Sequence, residues 1–281
     1  MKKAWLIAAT LGISMAGLSQ TGQAATTPQE DLQAFRNYFV ERFPDTPLHD
    51  FVNGIYSIDP PSREQWEAIE EFPPYELAID RGEELFNTPF ANGKTYASCF
   101  KNGGIGIRQL YPYFDAQSGK IKTLEGEINE CRVKNGEKPL RTKKGDIADI
   151  SAYMAYTSRG NKLDIRIPND PRALAAYNRG KTHFYQKRGQ LNMSCADCHQ
   201  HYAGQYVRAD KLSPALGHPT HFPVYRSKWN ELGTLHRRYA GCNQQVRAKA
   251  YPAQSDEYAA LEYFHTYMSN GLEVNGPGAR K

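Results

Sequence analysis

Five consecutive residues constrain this chain more than any others: Cys195-Ala196-Asp197-Cys198-His199. C-x-x-C-H is the attachment signature of c-type haem, in which both thiols add to the vinyl groups and the adjacent histidine reaches the iron. A fold that carries it must bring two cysteines and a histidine to one wall of a cofactor crevice. A thioredoxin-like redox pair or half of a zinc site uses similar spacing. Zinc, however, needs a second ligand pair, and no such pair follows here. The expected cofactor is one covalently bound haem c, held by Cys195 and Cys198 with His199 as the proximal iron ligand.

The N-terminus agrees with that chemistry. Lys2 and Lys3 precede an apolar stretch from Ala4 to Leu18, too short to span a bilayer, and Gly22-Gln23-Ala24 is a small-x-small cleavage site. Residues 1–24 read as a signal peptide cleaved after Ala24, with export to the periplasm, where c-type haem is attached. The formal charge falls from +5 to +3 when Lys2 and Lys3 leave. That mild balance, without a Lys/Arg run, gives no reason to expect nucleic acid or a membrane as partner. Eighteen tyrosines and 17 prolines suggest a loop-rich protein with thin apolar layers.

The chain contains two divergent copies of one unit. Arg81-Gly82 and Phe86 correspond to Arg179-Gly180 and Phe184, and Ser98-Cys99 to Ser194-Cys195. A longer insertion in the second copy then sets a constant shift of 111. At that shift Pro112 matches Pro223, Thr123-Leu124 matches Thr234-Leu235, Cys131 matches Cys242, and Tyr156, Ser158 and Gly160 match Tyr267, Ser269 and Gly271. Asp170-Pro171 opens a helix to about Lys187, and Glu257 to Ser269 forms a terminal helix with Gly271 beyond its end. The expected fold is mainly α: two tandem class I cytochrome c-like domains, the first without haem, preceded by an N-terminal helical extension. The boundaries are 25–72 for the extension, 73–165 for the haem-less domain and 166–281 for the haem-binding domain. Pro28 to Phe43, with Leu32, Phe35, Phe39 and Phe43, reads as an amphipathic helix that packs on a domain or a partner.

In the first copy, Asn102 and Gly103 stand where the second thiol and the histidine belong. Five cysteines are present; haem takes two and three remain in an oxidising compartment. Cys99 and Cys131 occupy opposite sides of the vanished crevice, so a Cys99–Cys131 disulfide is expected, leaving Cys242 free. The usual distal methionine is missing, since none lies between His199 and Met268, and Met268 reads as a core residue of the last helix. Cys242, His201, His218, His221 and His236 are the candidates in what reads as a loop region. Cys242 has the best case, being unpaired and flanked by Arg237, Arg238 and Arg247, which favour thiolate.

The run from Phe222-Pro223-Val224-Tyr225-Arg226 through Leu235-His236-Arg237-Arg238-Tyr239, Cys242 and Val246-Arg247-Ala248, continued by Glu257-Tyr258, Leu261-Glu262 and Gly271-Leu272, resembles the SoxA family. These are the A subunits of SoxAX cytochromes of thiosulfate oxidation. The resemblance implies L-cysteine S-thiosulfotransferase activity: thiosulfate is joined oxidatively to a cysteine thiol on the SoxY subunit of the SoxYZ carrier, and electrons leave through haem to an acceptor cytochrome c. It implies Cys242 as distal iron ligand and catalytic residue, found in the family as a persulfide. It implies Arg238 as the substrate-binding residue, and a SoxX cytochrome subunit as heterodimer partner. Asn102 and Gly103 depart from the two-haem pattern and point to a single-haem member. The competing expectation is a periplasmic electron-transfer cytochrome with a cysteine distal ligand and no catalysis.

Overall fold

Most of the long helices start where the sequence supplies a side-chain cap; those at Glu76–Asn87 and Asp146–Tyr156 do not. The computed structural model describes residues 26–280; the leader and its cleavage after Ala24 lie outside the described residues. Helix α1 (Pro28–Arg42) opens with a capping box in which Thr27 accepts from the Glu30 amide and Glu30 accepts from the Thr27 amide. Its buried Leu32, Phe35 and Phe39 join the core of the second unit. Helix α2 (Pro60–Glu70) is capped by Asp59. It supplies Trp66 and Ile69 to the core of the first unit. The extension is therefore divided between the two units.

The first unit runs α3 (Glu76–Asn87), a hairpin of β1 (Tyr113–Asp115) and β2 (Lys120–Lys122), α4 (Leu124–Lys134) and α5 (Asp146–Tyr156). The second runs α6 (Pro171–Tyr185), a short hairpin of β3 (Tyr206–Val207) and β4 (Asp210–Lys211), then β5 (Val224–Arg226), β6 (Glu231–Gly233), α7 (Leu235–Gln245) and α8 (Asp256–Tyr267). Strand β7 (Gly278–Arg280) returns to lie parallel to β5. Tyr113 pairs with Lys122 and Val224 with Gly233, the same register 111 residues apart. The peptide bonds Tyr111–Pro112 and Phe222–Pro223 are both cis. Thr123 and Thr234 cap α4 and α7.

The tightest contact is repeated too. A Cβ on Gly82 of α3 would fall 2.0 Å from the Asp149 carbonyl oxygen of α5, and one on Gly180 of α6 would fall 2.0 Å from the Ala260 carbonyl oxygen of α8. Only glycine lets these helix pairs cross at backbone contact. That is the physical content of the Arg-Gly match seen in the sequence.

One expectation fails. The segments bearing Cys131 and Cys242 are helices, α4 and α7, not loops. Helix α7 buries Leu235, His236, Tyr239, Ala240 and Asn243. Buried polar residues and the interior Gly241 hide the apolar spacing that would have marked it.

The two units share side chains across their boundary. Leu232 and Ala279 enter the core of the first unit, and Phe114 enters that of the second. A buried polar cluster lies between them. Ser151 donates to Glu125 (2.8 Å) in the first unit, and at the matching positions His236 Nε2 faces Glu262 at 3.0 Å in the second. Arg108 Nη2 reaches across to Glu262 at 3.9 Å. His236 Nδ1 accepts from the Gln254 amide (2.9 Å), while its Nε2 and the facing Glu262 oxygen lie close without a hydrogen bond between them. Burial and the facing Glu262 push the Glu125 carboxyl above its ordinary range.

Candidate haem and thiol site

The haem motif follows α6 and is held by a reciprocal pair. The Asp197 carboxylate accepts from the Ser194 amide (2.8 Å) and hydroxyl (3.0 Å), while the Ser194 hydroxyl accepts from the Asp197 amide (2.9 Å). Although burial opposes it, those Ser194 hydrogen bonds keep the Asp197 carboxyl below its usual range. The turn brings Cys195, Cys198 and His199 to the wall of one cavity of about 610 Å³, with Phe184 and Leu261 among its apolar residues. His199 Nδ1 lies 2.9 Å from the Ser213 carbonyl oxygen. A carbonyl only accepts, so Nδ1 carries the proton and Nε2 is left free to ligate. His218 packs edge-on at 4.6 Å between ring centroids.

Cys242 reaches the same cavity from α7. Burial pushes its thiol up, but the Arg238 guanidinium, a hydrogen bond with His199 and the charge of Arg226 outweigh that, bringing it down to about 7. At Cys195 burial and the neighbouring Cys242 and Cys198 outweigh the charge of Arg188 and drive the thiol up to about 12. Of the three free cysteines, Cys242 is pulled down and the motif pair is pushed up, so it is set apart electrostatically from Cys195 and Cys198.

Of the other candidates, His218 and His221 also line the cavity, and the rest fall elsewhere. His201 is exposed, with its ring near Tyr38. His221 is buried beside the Val52 carbonyl, with Nδ1 at 3.2 Å. His236 belongs to the inter-unit cluster, and Met268 is fully packed in the core. Of the three arginines near Cys242, only Arg238 lines the cavity. Arg237 lies over the Trp229 ring at 4.2 Å and pairs with Glu231 at 3.0 Å. Arg247 is exposed in a left-handed conformation, φ 57°.

Arg226 is the residue that reading for function missed. It lies on β5, over the Trp229 ring at 5.4 Å, and lines the cavity. Burial, and then repulsion from Arg238, pull its pKa down to about 10. A signal existed in the repeat. At the 111-residue shift, Arg226 and Arg238 correspond to Asp115 and Glu127. In the first unit Glu127 is held by the hydroxyls of Tyr111 and Tyr113. Two acids in the haem-less copy have become two arginines where a reactive thiol is retained.

In the first unit Cys99 and Cys131 form a disulfide, as expected. Asn102 and Gly103 adopt left-handed conformations, φ 53° and 61°. Phe86 and Tyr96 stack at 5.8 Å, and Phe90 packs edge-on to Tyr96 at 4.9 Å. The second-unit cavity suits haem c by volume, by its two free cysteines and by a histidine whose Nδ1 is held by the Ser213 carbonyl, leaving Nε2 turned toward Cys242 across the cavity.

Comparison with known proteins agrees with this geometry. A family model described as the SoxA/TsdA cytochrome c domain matches residues 81–163 and 179–274, the two units. The L-cysteine S-thiosulfotransferase subunit SoxA of Chlorobaculum thiosulfatiphilum is 58% identical over 89% of this chain and 87% of its own. The subunit of the same name from Allochromatium vinosum is 55% identical over the full length of both. The crystal structure of SoxXA from P. pantotrophus matches with a TM-score of 0.71 at 31% identity, covering 78% of this chain and 84% of that one. With two cytochrome c units in tandem, the haem motif in the second and relatives of this closeness, the chain belongs to the SoxA family of L-cysteine S-thiosulfotransferase subunits.

Proposed function

We propose that this chain joins thiosulfate to a cysteine thiol on the SoxY subunit of the SoxYZ carrier, with Cys242 as the catalytic residue. One observation carries the reading: Cys242 opens on the wall of the haem cavity together with Arg238 and Arg226, whose charges pull its thiol down. A plain electron carrier has no use for two guanidinium groups around such a sulfur. The overall change balances as thiosulfate plus a thiol giving a thiol-bound S-thiosulfonate, one proton and two electrons. Bound haem c supplies the redox centre through which those electrons leave for an acceptor cytochrome c.

The residues divide the work. Cys195 and Cys198 would hold the haem covalently, His199, oriented by the Ser213 carbonyl, would be its proximal ligand, and Cys242 would be its distal ligand. Arg238 binds the sulfonate end of thiosulfate by charge-assisted hydrogen bonds and keeps Cys242 deprotonated. The motif and the disulfide-closed first unit support one haem per chain. The domains act as haem-less 73–165 and haem-binding 166–281. SoxX is the heterodimer partner, with export to the periplasm after cleavage at Ala24. Among the described residues no helix is long and apolar enough to cross a membrane.

The test is Cys242→Ala with SoxX and SoxYZ present. Thiosulfate-dependent reduction of cytochrome c is expected to be abolished while the haem content stays at one per chain by pyridine haemochrome. Normal turnover in that variant would leave Cys242 an incidental ligand of an electron-transfer cytochrome.

A further inference from the structure

Arg280 is a partly buried cation one of whose guanidinium nitrogens is fully buried and without a hydrogen-bond partner among the described residues. It ends β7 and lines the same cavity as the haem motif. Its Nη1 donates to the Ala279 carbonyl at 2.7 Å. Its Nη2 is buried and has no hydrogen-bond partner among the described residues. The side chain is nonetheless held in place. Its guanidinium lies 4.9 Å from the Tyr56 ring and 5.8 Å from the Trp66 ring, and those rings stack at 4.9 Å. The carboxylate of Glu70 is already engaged: Oε1 accepts from Trp66 Nε1 (2.8 Å) and from the Ala279 amide (3.0 Å), and Oε2 accepts from the Tyr75 hydroxyl. Burial pulls the Arg280 pKa down, and the charge of Glu70, already shared among three donors, offsets this only in part. A desolvated cation is stable only with an anion beside it.

The position narrows the anion. Arg280 sits next to His221: a Cβ placed on Gly54 would lie 3.8 Å from His221 Cε1 and 3.9 Å from Arg280 Nε. Cys195 is on a different part of the wall, with Arg188 and Cys242 in its surroundings. A guanidinium with a free Nη2 edge is shaped to grip a carboxylate, and haem carries two. The other oxyanion available to this cavity is thiosulfate, whose binding group Arg238 is near Cys242.

We propose that Arg280 binds a carboxylate of the haem, with Tyr56 and Trp66 holding the guanidinium in place for it. The inference rests on the haem c reading above. It gives the N-terminal extension and the C-terminal strand a role that the C-x-x-C-H motif does not predict. The extension, through Tyr56 and Trp66, completes the cofactor site from outside the haem-binding unit.

The haem-loaded full-length chain tests it. In Arg280→Gln the unpaired carboxylate favours the ferric state. The midpoint potential is expected to shift negative and to gain a pH dependence on acidification, with thiosulfate KM unchanged. Arg280→Lys is expected to recover part of the shift. An unchanged potential in both variants overturns the proposal, as does an unchanged potential with a raised thiosulfate KM, which would place Arg280 in the substrate site. If Arg280→Gln does not assemble, resonance Raman of the unaltered protein decides: a haem carboxylate bending band typical of hydrogen-bonded carboxylate is expected, and bands of free carboxylates overturn the proposal. A chain without haem by pyridine haemochrome would instead reject the cofactor reading itself.

Discussion

Replacing Gly180 by alanine sets two effects of known size against each other. In a helix interior alanine is favoured over glycine by about 1 kcal/mol. At Gly180 the added methyl would stand 2.0 Å from the Ala260 carbonyl oxygen, 2.7 Å from its carbon and 2.8 Å from Phe264 Cβ. The obstacle is helix backbone, so α6 and α8 must separate by about 1 Å to reach ordinary contact. Overpacking of this kind costs about 1–3 kcal/mol, and a rigid backbone obstacle belongs at the upper end. The net expectation is a loss of about 2 kcal/mol, or roughly 4–8 °C in Tm for a chain of this size. Phe184 and His265, on these two helices, both line the haem cavity, so the haem absorption bands should change as well. Chemical denaturation and thermal melts of the haem-loaded protein read the effect. Gly241 of α7, where a Cβ meets nothing within 4 Å, is the control. Gly241→Ala should gain up to about 1 kcal/mol. A Gly180→Ala variant as stable as the parent would refute the claim that backbone contact between α6 and α8 requires glycine.

Asp149 and Arg108 yield two further tests. Burial raises the Asp149 carboxyl from 3.8 to about 6 despite nearby Arg81. Its charged form is therefore disfavoured by folding, and the stability linked to this group is lost as pH rises from about 4 to 6. Asp149→Asn should add about 2–3 kcal/mol at pH 7.5 and almost nothing at pH 4, and equal gains at both would reject that account. Arg108→Gln leaves Glu262, which is 1% exposed, without its cross-unit cation. Denaturant unfolding should show a loss on the order of 3 kcal/mol, recovered in part by the Arg108→Gln, Glu262→Gln double variant. No recovery would mean that packing, rather than charge, is what Arg108 contributes.

Much of the chemistry was legible because it is local or repeated. Cys195-Ala196-Asp197-Cys198-His199 is readable at five residues because thioether attachment needs that spacing in any fold. The two-unit plan was legible because a close helix crossing needs glycine at one position, and Gly82 and Gly180 both keep it. The Cys99–Cys131 pairing followed from cysteine parity together with the lost motif at Asn102 and Gly103. Helix α7 was not legible: its inward positions include His236 and Asn243, which local patterning scores as polar. Arg226 escaped because nothing in Tyr225-Arg226 distinguishes a cavity cation from a surface one.

The sequence by itself determined the cofactor chemistry, the repeat, the Asp170 cap of α6 and which cysteine would be left unpaired. Each depends on residue identity at short or regular spacing. Only the tertiary structure decided which arginines face Cys242, that His199 presents Nε2, that Glu125 and Glu262 confront each other across the two units, and that Arg280 returns to the haem cavity beside Tyr56 and Trp66. These are matters of burial and of distances between residues as many as 224 positions apart, as for Tyr56 and Arg280. A charge acquires its meaning from what desolvates it and what lies opposite, and that is fixed when the chain closes on itself.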